Sequence, residues 1–245
     1  MLASSPRELC SKCHDAKSAI LNSKHRNVKL ATADCTACHD PHGSGKPKLL
    51  AAFPHKPYGE GHCDACHTAD SSLKTEVPGL CTSCHANHAQ DAAKPAPHPA
   101  VTQGDACLNC HSPHAGRTSS LLAKGDMKAT CLTCHDRAQF ERPVKHPDQE
   151  NCDTCHQVHG GDQEHLLQDK QSSLCLTCHD VTKTHTHPIQ GPAKDPRDGK
   201  ELRCTSCHNP HSSTEEHLLA KEKKRALCVQ CHVGPNLEVR GRSGS

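Results

Sequence analysis

Residues 98–135 read HPAVTQGDACLNCHSPHAGRTSSLLAKGDMKATCLTCH and contain the unit from which the chain is built. Two Cys-x-x-Cys-His motifs lie in this stretch, at Cys107–His111 and Cys131–His135, with a Leu-Leu pair between them. The first motif is followed three residues later by another histidine, His114, and the stretch opens with a His-Pro dipeptide at His98. A repeat of this length indicates an array of similar small units. The same order of features returns in residues 146–179 and 187–232.

The motif occurs ten times and accounts for all 20 cysteines, and histidine follows the second cysteine in every copy although only 24 of 245 residues are histidine. First-type motifs begin at Cys35, Cys63, Cys107, Cys152 and Cys204, and all but that at Cys63 precede a Leu-Leu pair. Second-type motifs begin at Cys10, Cys81, Cys131, Cys175 and Cys228, and they follow a leucine-containing stretch. The copies are Cys10-Cys13-His14, Cys35-Cys38-His39, Cys63-Cys66-His67, Cys81-Cys84-His85, Cys107-Cys110-His111, Cys131-Cys134-His135, Cys152-Cys155-His156, Cys175-Cys178-His179, Cys204-Cys207-His208 and Cys228-Cys231-His232.

This spacing is the attachment pattern of c-type haem. Two intervening residues let both sulfurs form thioethers with the vinyl groups of one haem, and the next histidine then lies under the iron. Zinc sites also use Cys-x-x-Cys pairs, but they do not require histidine directly after the second cysteine. A disulfide framework would fix neither the spacing nor the following residue. We therefore expect ten covalently bound haems, with zinc and disulfides as weaker alternatives.

Side chains that ordinarily build a core are scarce, since the chain has no Trp, one Tyr, two Phe and a mean hydropathy of −0.74. A polypeptide of this composition is expected to be disordered on its own. Porphyrins are large apolar plates, and ten of them would replace the missing side-chain core. We therefore predict that the haem-free chain is unfolded.

The formal net charge of +2 omits the haem propionates, which would add roughly 20 negative charges. The haem-loaded protein is therefore expected to be acidic. The sequence contains neither a nucleic-acid-binding motif nor an apolar stretch long enough to cross a membrane. Because c-type haem is normally attached outside the cytoplasm, we expect a periplasmic, extracellular or outer-membrane-associated protein whose signal peptide has been removed.

The predicted fold class is a multihaem cytochrome c, with mostly irregular chain and short α-helices wrapped round a row of haems and almost no β-structure. Pro, Gly, Asp and Ser between the motifs favour turns. Helix-forming residues around the second-type motifs favour short helices, for example over 218–232. We expect a single elongated domain over 1–245, with a disordered tail at 236–245.

Fourteen histidines lie outside the motifs, and methionine occurs only twice, so the sixth ligand of most irons is expected to be histidine. Two positional classes of five residues supply one candidate for each iron. Those that follow a motif are His42, His88, His114, His159 and His211. Those that precede one are His25, His55, His98, His146 and His187.

Four histidines remain, namely His62, His165, His185 and His217. His165 and His217 occupy the position before Leu-Leu that is Ser120 or Lys48 in other units, which argues against ligation through the side chain. We expect His62 and His185 to compete with the nearby candidates.

The order along the chain suggests a pairing of ligands. We expect a histidine that precedes a motif to bind the iron of that motif, as His55 with His67. We expect a histidine that follows a motif to bind the iron of the subsequent motif, as His114 with His135. The same reasoning pairs His25 with His39. For the haems of His14 and His85 it leaves the two remaining candidates, His42 and His88.

The succession His-Pro, CxxCHxPH, Leu-Leu and CxxCH resembles the doubled-CXXCH class of multihaem cytochromes c, over nearly the whole chain. With ten motifs the chain is also similar to the small periplasmic decahaem cytochromes of the MtrA/DmsE type. This resemblance implies an electron conduit between an upstream quinol-linked cytochrome and a downstream outer-membrane porin-cytochrome or extracellular acceptor. The chain departs from strict alternation because two first-type motifs, at Cys35 and Cys63, follow one another.

Histidine on both faces of an iron leaves no open site, so such haems transfer single electrons, and without methionine ligands their potentials are low. We therefore predict a haem wire that is not an enzyme, has no catalytic residues and binds no nucleic acid. One alternative is a subunit of a polymeric cytochrome filament, formed by self-assembly. The other is a multihaem reductase with one open haem, which a high-spin ferric signal would indicate.

Overall fold

The computed structural model describes residues 4–25, 28–181, 187, 189, 191–223 and 225–232. The chain divides into two compact units, Met1–Thr133 and Cys134–Ser245. The single domain expected from the repeat remains a prediction, and the tail expected at 236–245 lies outside the described residues.

The α-helices are short, and local sequence explains where they begin. At α1, the Ser5 side chain accepts from the backbone N–H of Glu8 while the Glu8 carboxylate accepts from the N–H of Ser5, a reciprocal capping box. At α5, the Asp126 carboxylate accepts from the N–H of Ala129 at 2.6 Å. The helices are Pro6–Ser11 (α1), Ala19–Lys24 (α2), Lys56–Glu60 (α3), Gly79–Thr82 (α4), Met127–Cys131 (α5) and Gln171–Leu176 (α6).

Single turns of 3₁₀-helix make up most of the remaining regular structure. Five of them carry the first-type motifs: Cys35–Ala37, Cys63–Ala65, Ala106–Asn109, Cys152–Thr154 and Cys204–Ser206. The others are Pro47–Leu49, Ala86–His88, Asp91–Ala93, Pro99–Val101, Arg137–Gln139, Pro147–Glu150, Glu164–Leu166, Glu216–Leu218 and Cys228–Gln230.

Among the described residues, strands are segments of two residues. Within the first unit, β1 pairs antiparallel with β3, in the register Phe53 with Gly116. Within the second unit, β4 pairs antiparallel with β6, in the register Val144 with Ser213. The strands are Phe53–Pro54 (β1), Ala96–Pro97 (β2), Ala115–Gly116 (β3), Val144–Lys145 (β4), Gly160–Gly161 (β5) and Ser212–Ser213 (β6).

Second-type motifs lie on α-helices in four cases, since Cys10, Cys81, Cys131 and Cys175 each fall within one. The example given from sequence was wrong, however. Residues 218–232 do not form a continuous helix, and Cys228–Gln230 is a single 3₁₀ turn. A short amphipathic segment gains most of its helical stability from packing, and helix-forming composition alone does not supply it.

The predicted fold class is confirmed, because the chain is mostly irregular with short helices and little strand. Among the described residues, the buried apolar side chains are few and mostly small: Ala51, Ala106, Ala115 and Leu219. The polypeptide thus contributes little core of its own, as the composition predicted. None of the described helices has the length and apolar character that crossing a membrane requires.

Candidate haem-binding sites

Each motif folds as one helical turn. In the turn at Cys35, for example, the backbone N–H of His39 donates to the Cys35 carbonyl at 2.9 Å. The same hydrogen bond spans 2.9–3.1 Å in the nine motifs that begin at Cys10, Cys35, Cys63, Cys81, Cys107, Cys152, Cys175, Cys204 and Cys228. A bond from residue i+4 to residue i brings the first cysteine and the histidine onto one side of the turn, which is what attachment to a single haem requires.

First-type motifs orient their histidine through its second ring nitrogen. In each of them Nδ1 is hydrogen-bonded to a backbone carbonyl, which directs Nε2 away from the backbone and leaves it available to iron. The five bonds are His39 to Lys48 at 3.0 Å, His67 to Ser71 at 3.1 Å, His111 to Ser120 at 2.8 Å, His156 to His165 at 2.8 Å and His208 to His217 at 2.7 Å.

The accepting carbonyls belong to strained turns beside the Leu-Leu pair. Lys48, His165 and His217 have φ values of 60°, 59° and 57°, in the left-handed region that costs L-residues roughly 1–2 kcal/mol. Each turn folds back so that the second leucine forms an antiparallel bridge with the motif histidine, as between His208 and Leu219. His165 and His217 therefore act through their backbone, and their rings are exposed.

Six pairs of histidine rings face each other at a nearly constant separation. A metal–imidazole bond of about 2.0 Å, plus about 1.1 Å from nitrogen to ring centre on each side, separates two trans ligands by roughly 6.2 Å. The observed separations fit that value, and each pair contains one motif histidine. They are His25–His39 at 6.1 Å, His55–His85 at 5.9 Å, His67–His114 at 6.1 Å, His146–His179 at 6.1 Å, His156–His211 at 6.1 Å and His187–His232 at 6.2 Å.

Only the pair His25–His39 agrees with the pairing expected from order along the chain. His55 faces His85 rather than His67, and His67 faces His114. The physical reason is the pairing of β1 with β3. It places the N–H of His55 at 2.8 Å from the His114 carbonyl, so that the two rings face the histidines of the two motifs of one repeat.

The second unit repeats this arrangement. The N–H of His146 donates to the His211 carbonyl at 3.0 Å, beside the pairing of β4 with β6. His146 faces His179, and His211 faces His156. In these four pairs, the histidine before a repeat faces its second motif, and the histidine after a first-type motif faces the first motif of the preceding repeat.

Five stretches of the chain match the family model described as "Doubled CXXCH motif": residues 25–53, 55–90, 98–140, 143–184 and 195–236. These stretches cover more than half of the chain. The chain belongs to the doubled-CXXCH family. Paired motifs of this family are sites of covalent haem c attachment, so the protein is a multihaem c-type cytochrome.

A curated relative is Multiheme cytochrome MtrA from Shewanella baltica (strain OS185). It is 31% identical over 214 residues, which are 78% of this chain and 58% of the relative. The chain thus spans rather more than half the length of that doubled-CXXCH cytochrome.

Two aromatic side chains, which sequence reasoning did not assign to the site, pack on histidines of this cytochrome. The Tyr58 ring lies 5.3 Å from that of His114, and the Phe140 ring 4.7 Å from that of His211. Burial is the main cause that lowers the pKa of both His114 and His211 below the ordinary value, and neighbouring histidines lower it further. The neutral imidazole favoured in this way is the form that binds a metal. The sequence offered one signal for a role of Tyr58 and Phe140, namely that the chain has only three Tyr and Phe residues and no Trp.

Cysteines of successive motifs approach one another. The side chains of Cys81 and Cys107 are hydrogen-bonded. Burial and, to a smaller extent, the neighbouring Cys107 raise the pKa of Cys81 to about 11. The same contact joins Cys10 to Cys35 and Cys175 to Cys204. Each contact links a second-type motif to the first-type motif that follows it. The attachment edges of consecutive haems therefore come together at these points.

Where the alternation of motifs is broken, Tyr58 fills the gap between two first-type motifs. Its hydroxyl is hydrogen-bonded to Cys38, and it interacts electrostatically with Cys63. The continuity of attachment sites therefore extends across the irregular part of the repeat.

The remaining candidates have varied surroundings. Nδ1 of His88 lies 2.7 Å from a carboxylate oxygen of the buried Asp91, which also pairs with Lys94 at 2.9 Å. His62 lies on the surface, 3.8 Å from Glu60. Ligation by His42, His88, His98 and His159 remains a prediction, as do the roles of the facing pairs, and His185 lies outside the described residues.

Proposed function

We propose that this cytochrome is an extracytoplasmic electron-transfer protein, with ten haems held between pairs of histidines. Six facing pairs of rings near 6 Å carry this proposal, because they offer a histidine to each face of an iron. Haem supplies one-electron chemistry, and closure of both faces restricts it to electron transfer. The chain orients the imidazoles of the first-type motifs through Nδ1, and burial of His114 and His211 favours their neutral form.

Contacts between motif cysteines support conduction along each unit. Cys10 with Cys35, Cys81 with Cys107, and Cys175 with Cys204 bring neighbouring attachment edges together. We infer a role as a wire and not as an enzyme.

The partners follow from this role and from the likeness to a multihaem cytochrome. We infer an upstream quinol-linked cytochrome, and a downstream outer-membrane porin-cytochrome or extracellular acceptor. The proposed location is the periplasm or the outer-membrane or extracellular surface, where c-type haem is attached and such partners meet.

The test begins with the haem-loaded protein. Haem content from its pyridine complex should give ten per chain, and electron paramagnetic resonance of the oxidised protein should show low-spin ferric iron. Stopped-flow mixing of the reduced protein with a soluble iron(III) chelate should oxidise all the haems. A dominant high-spin signal together with turnover of nitrite or hydroxylamine would replace the proposal with the reductase, and filaments in electron micrographs would replace a discrete carrier with a polymer.

A further inference from the structure

The last repeat contains a loop that the other repeats lack. Seventeen positions separate His187 from Cys204, whereas nine separate His98 from Cys107. Residues 193–203, called here the Arg197 loop, form a small hairpin. The N–H of Leu202 donates to the carbonyl of residue 193 at 2.9 Å.

A buried carboxylate holds the loop's arginine. Asp195 is 1% exposed, and it accepts from Arg197 Nε at 2.8 Å and from Nη2 at 2.5 Å. This paired geometry is strong and directional. The Arg197 guanidinium is the main cause that holds the pKa of Asp195 well below its usual range, and other hydrogen-bond donors add to this effect.

The other donors of Arg197 reach both motifs of the repeat. Nη2 donates to the Ser206 carbonyl at 2.8 Å, and Nη1 donates to Gln230 Oε1 at 2.9 Å. Ser206 lies between the two cysteines of the first-type motif, and Gln230 between those of the second-type motif. One guanidinium therefore joins the two attachment turns of the last repeat.

We propose that Arg197 is a positioning residue that sets the reduction potentials of the haems at Cys204–His208 and Cys228–His232. It does so by holding a positive charge between their attachment turns. A cation beside a haem disfavours the extra positive charge of ferric iron and so favours the reduced form. The inference rests on the proposed function in that it requires both haems to be attached and to cycle between oxidation states.

The expected magnitude follows from Coulomb's law. A unit charge at a distance on the order of 10 Å, in an effective dielectric of about 20, changes an equilibrium roughly tenfold. For a one-electron couple, tenfold is about 59 mV. Arg197→Gln should lower the potentials of two haems by about this amount, and they carry one fifth of the absorbance change in a redox titration. Arg197→Lys, which keeps the charge, should shift them less.

Asp195→Asn provides the opposite change. Removing the negative charge while Arg197 remains should raise the same two potentials. A residue that only stabilises the fold would not give shifts of opposite sign for Arg197→Gln and Asp195→Asn. The matched control is Lys200→Gln, since Lys200 lies in the same loop and its side chain pairs with the exposed Glu164 at 2.7 Å. It should leave the titration unchanged.

The experiment is an optical redox titration of each haem-loaded variant after its haem content has been measured. In a background with Cys228→Ala and Cys231→Ala, one of the two haems is absent, and the shifted fraction should fall from one fifth to one ninth. Equal titrations for Arg197→Gln and Lys200→Gln, or shifts of one sign for Arg197→Gln and Asp195→Asn, would overturn the inference. If Arg197→Gln does not accumulate with ten haems, the direction of the Asp195→Asn shift decides. A wild-type protein without ten low-spin haems would instead refute the proposed function.

Discussion

Replacing His114 with alanine tests the pairing of ligands across repeats. The His114 ring faces that of His67 at 6.1 Å, and it packs on Tyr58. Its backbone carbonyl, which accepts from the N–H of His55, is unchanged by the substitution. The strand pairing of β1 with β3 should therefore survive, and only the imidazole is lost.

The magnitude follows from one ligand serving one iron. His114→Ala should convert one tenth of the ferric iron from low spin to high spin, without loss of attached haem. Truncating a half-buried ring should cost about 1–2 kcal/mol of stability, because packing on Tyr58 is lost while the backbone hydrogen bond remains.

The assay is electron paramagnetic resonance of the oxidised protein, with the high-spin signal expressed per haem. The affected iron is identified by combining the substitution with the loss of one attachment site. With Cys63→Ala and Cys66→Ala, the haem of His67 is absent, and His114→Ala should add no high-spin signal. With Cys131→Ala and Cys134→Ala, the signal should still appear.

The opposite result would support the pairing of His114 with His135 that the order of motifs suggested. A high-spin signal that persists without the haem of His67, and disappears without that of His135, would refute the reasoning from the facing rings. His165→Ala is the control, because the role of His165 depends on its carbonyl. This variant should remain low-spin throughout.

Three further substitutions test the polypeptide around the haems. Gly116→Ala should lower the free energy of unfolding by about 1–3 kcal/mol in a denaturant titration, since an added Cβ would lie 2.8 Å from Leu121 Cα. Gly161→Ala is the control: its Cβ would meet only a flexible side chain, so the free energy of unfolding should fall by less. His217→Gly should stabilise the protein by up to about 1 kcal/mol, because glycine adopts the observed φ of 57° without strain. The low-spin signal should be unchanged, and loss of a low-spin haem would contradict a backbone role for His217. Tyr58→Phe should lower the free energy of unfolding by about 1 kcal/mol, because the hydroxyl hydrogen bond to Cys38 is lost. Tyr58→Ala should in addition raise the high-spin fraction of the ferric iron, measured by electron paramagnetic resonance of both variants.

The chemistry of this protein could be predicted from sequence because haem attachment is a local requirement. Two sulfurs and an imidazole must come from five consecutive residues, so the motif is visible without knowledge of the fold. The division into two kinds of motif was also visible, and it corresponds to α-helical and 3₁₀ turns at every attachment site except Cys228, a second-type motif on a 3₁₀ turn. The lack of an aromatic and aliphatic core was evident from composition alone.

Pairing of distal ligands could not be predicted in the same way. It depends on strand pairs such as Phe53 with Gly116 and Val144 with Ser213, which join residues about 60–70 positions apart in the chain. Segments of two residues have no periodicity that sequence reasoning can detect. Order along the chain was the only available guide, and it paired His55 with His67, whereas the ring of His55 faces that of His85.

The histidines before the Leu-Leu pairs explain why residue identity can mislead even where position matters. Lys48, Ser120, His165 and His217 differ in side chain, yet each directs its carbonyl to the Nδ1 of a motif histidine nine residues earlier. Any residue has that carbonyl, so the contact depends on the turn and not on the side chain. The variability that argued against ligation is thus compatible with an essential contact to each proximal imidazole. A hydrogen bond of this kind fixes the ring plane and increases the basicity of the ligand, which lowers the potential of the iron it holds. The low potentials inferred from the absence of methionine ligands therefore have a second origin in these turns.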